Sequence, residues 1–289
     1  MTVPRAQAEQ GAIRSAATGA RNMRLTIALA VVGSALLIGG ARQGRTPARV
    51  PTGWIAVESP GRQADGYVCA FWDDTTWRVA LTRDSTALQI VRDSTKPDVQ
   101  TFDVPGGQLL GYDGGEFGGE VLYRANDGRV THLAKQNLSF FVPSLSGILG
   151  LGGIAHLGFN RGWLFRFTLQ VNGPWTAESL MSLDGDPLAY TALADDTLLV
   201  VALGAIVLVR PPSYKTVLFR DTLIALPNAH SVVRDRAGVI YVGMRYAVTR
   251  LKPRDHGYTD DWIVPASCPR RVRTAETGKC ACAPDLHGR

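Results

Sequence analysis

The chain of 289 residues is 45% hydrophobic and carries 31 Lys and Arg against 25 Asp and Glu, a formal net charge of +6. The positive excess lies at the ends, because residues 51–267 hold 19 basic and 22 acidic residues, which leaves no basic face for nucleic acid and argues against that partner. No Gly-x-Ser-x-Gly elbow, His-Glu-x-x-His helix or phosphate loop occurs, so no diagnostic catalytic motif is present.

At the amino terminus, Leu25–Gly40 is an uncharged apolar run bracketed by Arg24 and Arg42. It is shorter than the roughly 20 residues of a membrane-crossing helix and has the make-up of a signal-peptide core. Gly39 and Ala41 place small residues for cleavage after Ala41, no Cys follows for a lipid anchor, and Met23 offers an alternative start to Met1. Residues 1–41 are therefore read as a signal peptide or, uncleaved, as a signal anchor with Arg5, Arg14, Arg21 and Arg24 inside. The body is then periplasmic or secreted, or anchored with its fold outside the cytoplasmic membrane, and only this segment is expected to touch a membrane. Residues 42–53, with Pro47 and Pro51, read as a linker.

After this point Gly, Pro and β-branched residues interrupt every candidate amphipathic helix. A strand-like run, Arg78–Thr82, follows Trp77. Leu122–Ala125, Leu164–Phe167 and Val248–Leu251 share one pattern, and their arginines, Arg124, Arg166 and Arg250, are spaced by 42 and 84 residues. The copy missing from the wider gap is Leu198–Val209, two apolar strands split at Gly204–Ala205 and preceded by Asp195–Asp196. The clearest unit is His230–Leu251: Ser231–Arg234 as an inner strand, Asp235–Gly238 as a turn, Val239–Gly243 as a second strand and Ala247–Leu251 as a third.

A period of 42 residues lies within the roughly 40–45 of a four-stranded propeller blade. Third strands near Thr82, Arg124, Arg166, Leu208 and Arg250 predict an all-β chain, a β-propeller of five four-stranded blades over residues 54–267; a sixth blade would need a hidden or split repeat. Residues 268–289 form a basic, Cys-containing tail. Four cysteines, Cys69, Cys268, Cys280 and Cys282, allow three pairings, and an exported location permits disulfides. A bond between Cys280 and Cys282 would be strained, so one of them is expected to pair with Cys268. A zinc site adding His287 fits no standard spacing.

In such a fold the loops joining second to third strands emerge beside those entering each first strand, and together they make one rim. The joining loops are predicted at Gly111–Glu120, Gly158–Gly162, Leu203–Ala205 and Met244–Tyr246, the entry loops at Pro143–Gly147 and Leu226–His230. Asp113, Glu116, Asn160, Arg161, Asn228, His230, Arg245 and Tyr246 are thereby the candidate ligand-binding rim. The Gly111–Glu120 loop combines Gly114, Gly115, Gly118 and Gly119 with three carboxylates, a composition able to hold Ca²⁺ or another divalent cation or, in the plainer reading, to form a hairpin whose acids pair with Arg161 or Arg245. His156 is expected inside a second strand opposite the position of Ile240, and His132 on an outer strand. His230, at the mouth of an inner strand, is the candidate for proton transfer.

Pro227–Val242 resembles the Pro-Asn…Asp-x-x-Gly-x-x-Tyr-Val pattern of the calcium-dependent gluconolactonase propellers, and also the blades of NHL and two-component-regulator sensor propellers. The lactonase resemblance implies a metal ligand at Asn228, to which Asp113 and Glu116 would be added; no counterpart of that family's early Glu ligand is found. The leading functional expectation is an exported, non-catalytic propeller whose rim binds a protein, glycan or small molecule. The alternative is a divalent-metal-dependent hydrolase or lyase on the same rim with His230 as base, and a third reading is a structural envelope module.

Overall fold

The computed structural model describes residues 46–61, 63–93, 99–145, 147–171, 173–220, 226, 228–274 and 278–283, all within the unit Gln43–Arg289. The expected signal or anchor segment and His287 lie outside these residues. The chain enters through β1 (Trp54–Glu58), forms the helix α1 (Asp65–Trp72) and makes a hairpin of β2 (Trp77–Leu81) and β3 (Leu88–Arg92). Four antiparallel sheets follow. The first is β4 (Val99–Val104), β5 (Gly107–Tyr112), β6 (Val121–Ala125) and β7 (Val130–Ala134). The second is β8 (Phe140–Ser144), β9 (Gly147–His156), β10 (Phe159–Leu169) and β11 (Trp175–Leu183). The third is β12 (Pro187–Ala192), β13 (Leu198–Ala202), β14 (Ala205–Arg210) and β15 (Tyr214–Arg220). The fourth is β16 (Ser231–Arg234), β17 (Ile240–Gly243), β18 (Val248–Arg254) and β19 (Gly257–Pro265), with β1 added outside β19. A last hairpin, β20 (Arg271–Arg273) and β21 (Cys280–Cys282), closes the described chain.

First strands meet across neighbouring sheets, β4 against β8 and β12 against β16, so the strands of each sheet step outward in order. This is a β-propeller. Its packing follows from the two-residue period of a strand. In β13 all five residues are buried. Leu198 and Val200 join Val142, Leu149 and Leu151 on the side of the second sheet, while Leu199 and Val201 join Ile240, Val242 and Trp262 on the side of the fourth. Each such Leu or Val contributes about 1.5–3 kcal/mol when fully buried. Equivalent clusters join the first and second sheets through Leu109, Phe141 and Phe167, and the β2–β3 hairpin and the fourth sheet through Val79, Leu88 and Tyr241.

Arg124, Arg166, Leu208 and Arg250 fall on β6, β10, β14 and β18, the third strands of the four sheets, as their spacing predicts. The register explains why Arg suits this position. Arg166 stands opposite Glu178 and Arg250 opposite Asp261 on the fourth strands, with ion pairs of 2.6 and 2.5 Å.

The Thr82 copy differs. β2 stops at Leu81 and pairs with β3 in a two-stranded sheet. Thr82 instead starts the connecting turn, donating its hydroxyl to Asp84 at 2.6 Å. Among the described residues the first sector is therefore a hairpin rather than a four-stranded blade. It docks on the fourth sheet, where the Val79 N–H donates to Ser231 Oγ (2.9 Å) and the Trp77 N–H to the Met244 carbonyl (2.9 Å).

Two further expectations are corrected. Pro143 and Ser144 end β8 and Gly147 starts β9, so this stretch is the turn between them, at the end away from the rim; the entry segment to β8 is 135–139. His156 is not interior either. It is the last residue of β9 and its side chain is 40% exposed, because the β9–β10 hairpin is longer than β17–β18 and the register puts Ile148 where Ile240 lies.

The tail folds back on α1. Cys268 pairs with Cys282, as preferred from the spacing, and Cys280 pairs with Cys69, a fully buried residue of α1. Near the opposite end of the fourth sheet the buried Asp235 accepts four hydrogen bonds, from the Ala48, Ala237 and Val239 amides at 2.9 Å each and from the Tyr241 hydroxyl at 3.1 Å. It thereby ties the segment before β1 to the β16–β17 turn.

Asp235→Ala leaves these donors unanswered and is expected to cost about 2–4 kcal/mol in urea unfolding. A second expectation concerns acid. Burial pushes the Asp261 carboxyl up, but hydrogen bonds and charge from Arg250 and Lys252 outweigh burial and hold it below its ordinary value. The resulting stabilisation is complete above the unfolded-state value of about 3.9 and is lost as pH falls through the lower folded-state value. The stability gap between the parent and Asp261→Asn should therefore be constant near neutrality and close below about pH 4. Urea titrations across that range check it.

Candidate functional site

The joining loops β5–β6, β9–β10, β13–β14 and β17–β18 and the segments entering β8, β12 and β16 lie at one end of the sheets and form the rim. Its best-built part is the β5–β6 loop. Residues Gly115–Phe117 make one 3₁₀ turn, with positive φ at its first residue, Gly115, and just after it at Gly118, values that side-chain-bearing residues rarely adopt. Asn137, only 4% exposed, fastens this turn: its amide donates to the Gly115 carbonyl (2.8 Å) and the Gly153 carbonyl (3.0 Å), and its oxygen accepts from the Gly114 N–H (3.3 Å). Asp113 accepts from Ser139 Oγ at 3.0 Å and from the Gly115 N–H at 3.2 Å. Glu116 Oε2 lies 2.6 Å from His156 Nε2, and Glu120 Oε2 lies 3.0 Å from His132 Nδ1. The loop acids are thus partnered by histidines and Ser139, and neither Arg161 nor Arg245 is among these partners.

The remaining candidates occupy other parts of the rim. Asn160 bridges the second and third sheets, donating to the Leu203 carbonyl (2.7 Å) and accepting from the Asp186 N–H (2.9 Å), while Arg161 is exposed beside it on β10. Asn228 and Arg245 both donate to the Phe71 carbonyl, at 3.4 and 3.1 Å, and so satisfy an orphan acceptor in the last turn of α1. Tyr246 is buried, with φ of 66°, and donates its hydroxyl to the Cys268 carbonyl at 2.7 Å. Burial pushes that hydroxyl up to about 12, with Asp73 adding to the rise and Arg271 opposing it. His230 is partly buried at the mouth of β16, its N–H donating to the Gly243 carbonyl at 2.8 Å.

The expected metal set is therefore divided. Asp113 and Glu116 belong to the β5–β6 loop, whereas the Asn228 amide is turned to α1. Among the described residues no three His, Cys, Asp or Glu side chains are grouped to hold a metal ion.

What the loop does border is a cleft of about 960 Å³. Tyr112, Phe117 and Trp163 give it apolar surfaces, and Asp113, Glu120, His132, Lys135 and Asn137 give it polar ones. Sequence reasoning selected Asp113 but passed over His132, Asn137 and Trp163, since nothing local in the sequence says that β7, the entry to β8 and β10 meet at one cleft. Beside it, Phe117 on the cleft's edge and Leu157 and Phe159 outside it are 90%, 87% and 64% exposed around the Glu116–His156 contact. Asn137→Ala should lower stability by about 2–3 kcal/mol and selectively speed amide exchange in residues 113–120. An unchanged exchange rate there would remove Asn137 as the fastener of the cleft wall.

The sequence matches no protein-family model and no curated relative. Among solved structures, a streptogramin B lyase is similar over 72% of this chain and 72% of its own, with 11% identity and a TM-score of 0.35. The virginiamycin B lyase from Staphylococcus aureus is similar over 72% and 73%, with 10% identity and a TM-score of 0.36. The propeller assignment rests on the chain's own sheet order, register and packing.

Proposed function

We propose that the protein is an exported, ligand-binding propeller whose rim cleft takes a short glycan or a similarly polyhydroxylated molecule. The observation behind this reading is the lining of the 960 Å³ cleft, which combines three aromatic residues with two carboxylates, an imidazole, a lysine and two amides. Flat apolar faces cover the ring carbons of a sugar, and mixed donors and acceptors answer its hydroxyls. Two disulfides agree with an oxidising compartment. Residues 1–41 are proposed to direct export, with the periplasm or the exterior as destination.

A second reading, a hydrolase or lyase on the same rim, is favoured by one contact. Glu120 and His132 both line the cleft, 3.0 Å apart, and a carboxylate beside an imidazole is a common arrangement for proton uptake. His230 is less suited to that role, since it is not among the residues of this cleft.

Screening the purified protein against a glycan panel and titrating the hits by calorimetry tests the first reading. Trp163→Ala should weaken a hit about tenfold, the loss of roughly 1.4 kcal/mol of stacking. Glu120→Gln should reduce affinity only modestly if the cleft merely binds, and should abolish product formation if it catalyses. The absence of any glycan hit sinks the proposal. For the compartment, a maleimide label applied under denaturing conditions should reach no cysteine in protein taken directly from cells and all four after reduction.

A further inference from the structure

A second hollow, independent of the rim cleft, lies between β1, α1 and the disulfide-clipped tail. Its volume is about 320 Å³, with Val57, Tyr246, Trp262 and Val264 as apolar walls and Arg270 and Arg271 on the tail side. We propose that it is a binding site for a small amphiphilic anion, an apolar ring or short acyl group bearing a carboxylate or sulfonate.

The apolar walls are set before any ligand arrives. Trp262 and Tyr246 are 3% and 4% exposed, with ring centroids 6.3 Å apart. Tyr246 is held through its hydroxyl by Cys268 and covered by the Arg271 guanidinium 4.9 Å from its ring centroid. Arg271 is itself ion-paired with the buried Asp73. A wall fixed from several sides loses little conformational freedom on binding.

The anionic group follows from the charge around the mouth. The described tail residues include Arg270, Arg271, Arg273 and Lys279 and no carboxylate. Glu58 lines the β1 side, so the anion is placed at the opposite side, next to Arg270. Arg271 is held by Asp73 and by the Tyr246 ring, so the exposed Arg270 supplies the cation for the ligand's anionic group.

The test titrates the purified protein with 8-anilinonaphthalene-1-sulfonate, using octanoate as competitor. Saturable binding at one site, displaced by octanoate, is expected. Val57→Trp fills the hollow and should weaken binding by at least about tenfold, and Arg270→Glu, at an exposed position, by about fivefold, both with unchanged near-ultraviolet circular dichroism. Trp163→Ala, in the rim cleft, should leave it as it was. Non-saturable binding, or binding that neither Val57→Trp nor Arg270→Glu alters, overturns the proposal. So does loss of binding with Trp163→Ala, which would put the probe in the rim cleft. An affinity raised tenfold by removing residues 284–289 would also overturn it, by assigning the hollow to the chain's own end.

Discussion

Apolar seams join the four large sheets to one another and the fourth to the β2–β3 hairpin, and the rest of the structure depends on that constraint. A strand with both faces apolar, such as β13, cannot be stable alone, because its odd and even side chains need different partners. Leu199 finds them on the fourth sheet and Val200 on the second. Stability is therefore distributed along the seams between sheets. Groups that cross a seam, such as Asn160 between the second and third sheets, fix how neighbouring rim loops face one another.

Among the described residues the first sector has two strands where the four large sheets have four or five, and the surrounding elements compensate for that difference. β1 does not join the hairpin that follows it but adds to the far sheet, beside β19. α1, which links β1 to β2 along the chain, packs against β20 of the tail and receives Asn228 and Arg245 at its last turn and a disulfide at Cys69. Residues that look like rim ligands in the sequence are therefore engaged in holding the helix. The ligand-sized hollows lie elsewhere, at the β5–β6 loop and beneath the tail.

The legible part of this fold was the part repeated in register. Arg166 and Arg250 mark third strands because each faces an acid on the adjacent fourth strand; Arg124 holds the same strand position 42 residues before Arg166 but faces Val130 and donates to Gln108 instead. The β16–β18 unit was readable for a related reason: Asp235 and Gly238 belong to a tight turn, where few residue types serve, and Gly238 has φ of 84°. Thr82 misled because a strand followed by a turn looks the same whether two or four strands make the sheet. His156 was misplaced since hairpin length varies from blade to blade at the rim: β9–β10 is longer than β17–β18, and its tip reaches Glu116 of the β5–β6 loop. The candidate cleft was half legible. The glycine-rich acidic loop stood out, whereas its partners Asn137, His132 and Trp163 come from three other strands or loops and carry no local signature.

The Cys69–Cys280 bond has a consequence for the covalent connectivity of the molecule. It joins positions separated by 211 residues, and every strand from β2 to β20 lies on the chain between them. That stretch is a closed covalent loop. A protease that cuts one rim turn opens the loop but releases no fragment, and the two new ends stay part of one molecule through the cystine. For a protein exposed to a hydrolytic environment, an isolated nick is then a local injury, and the blades on either side remain at high effective concentration for one another.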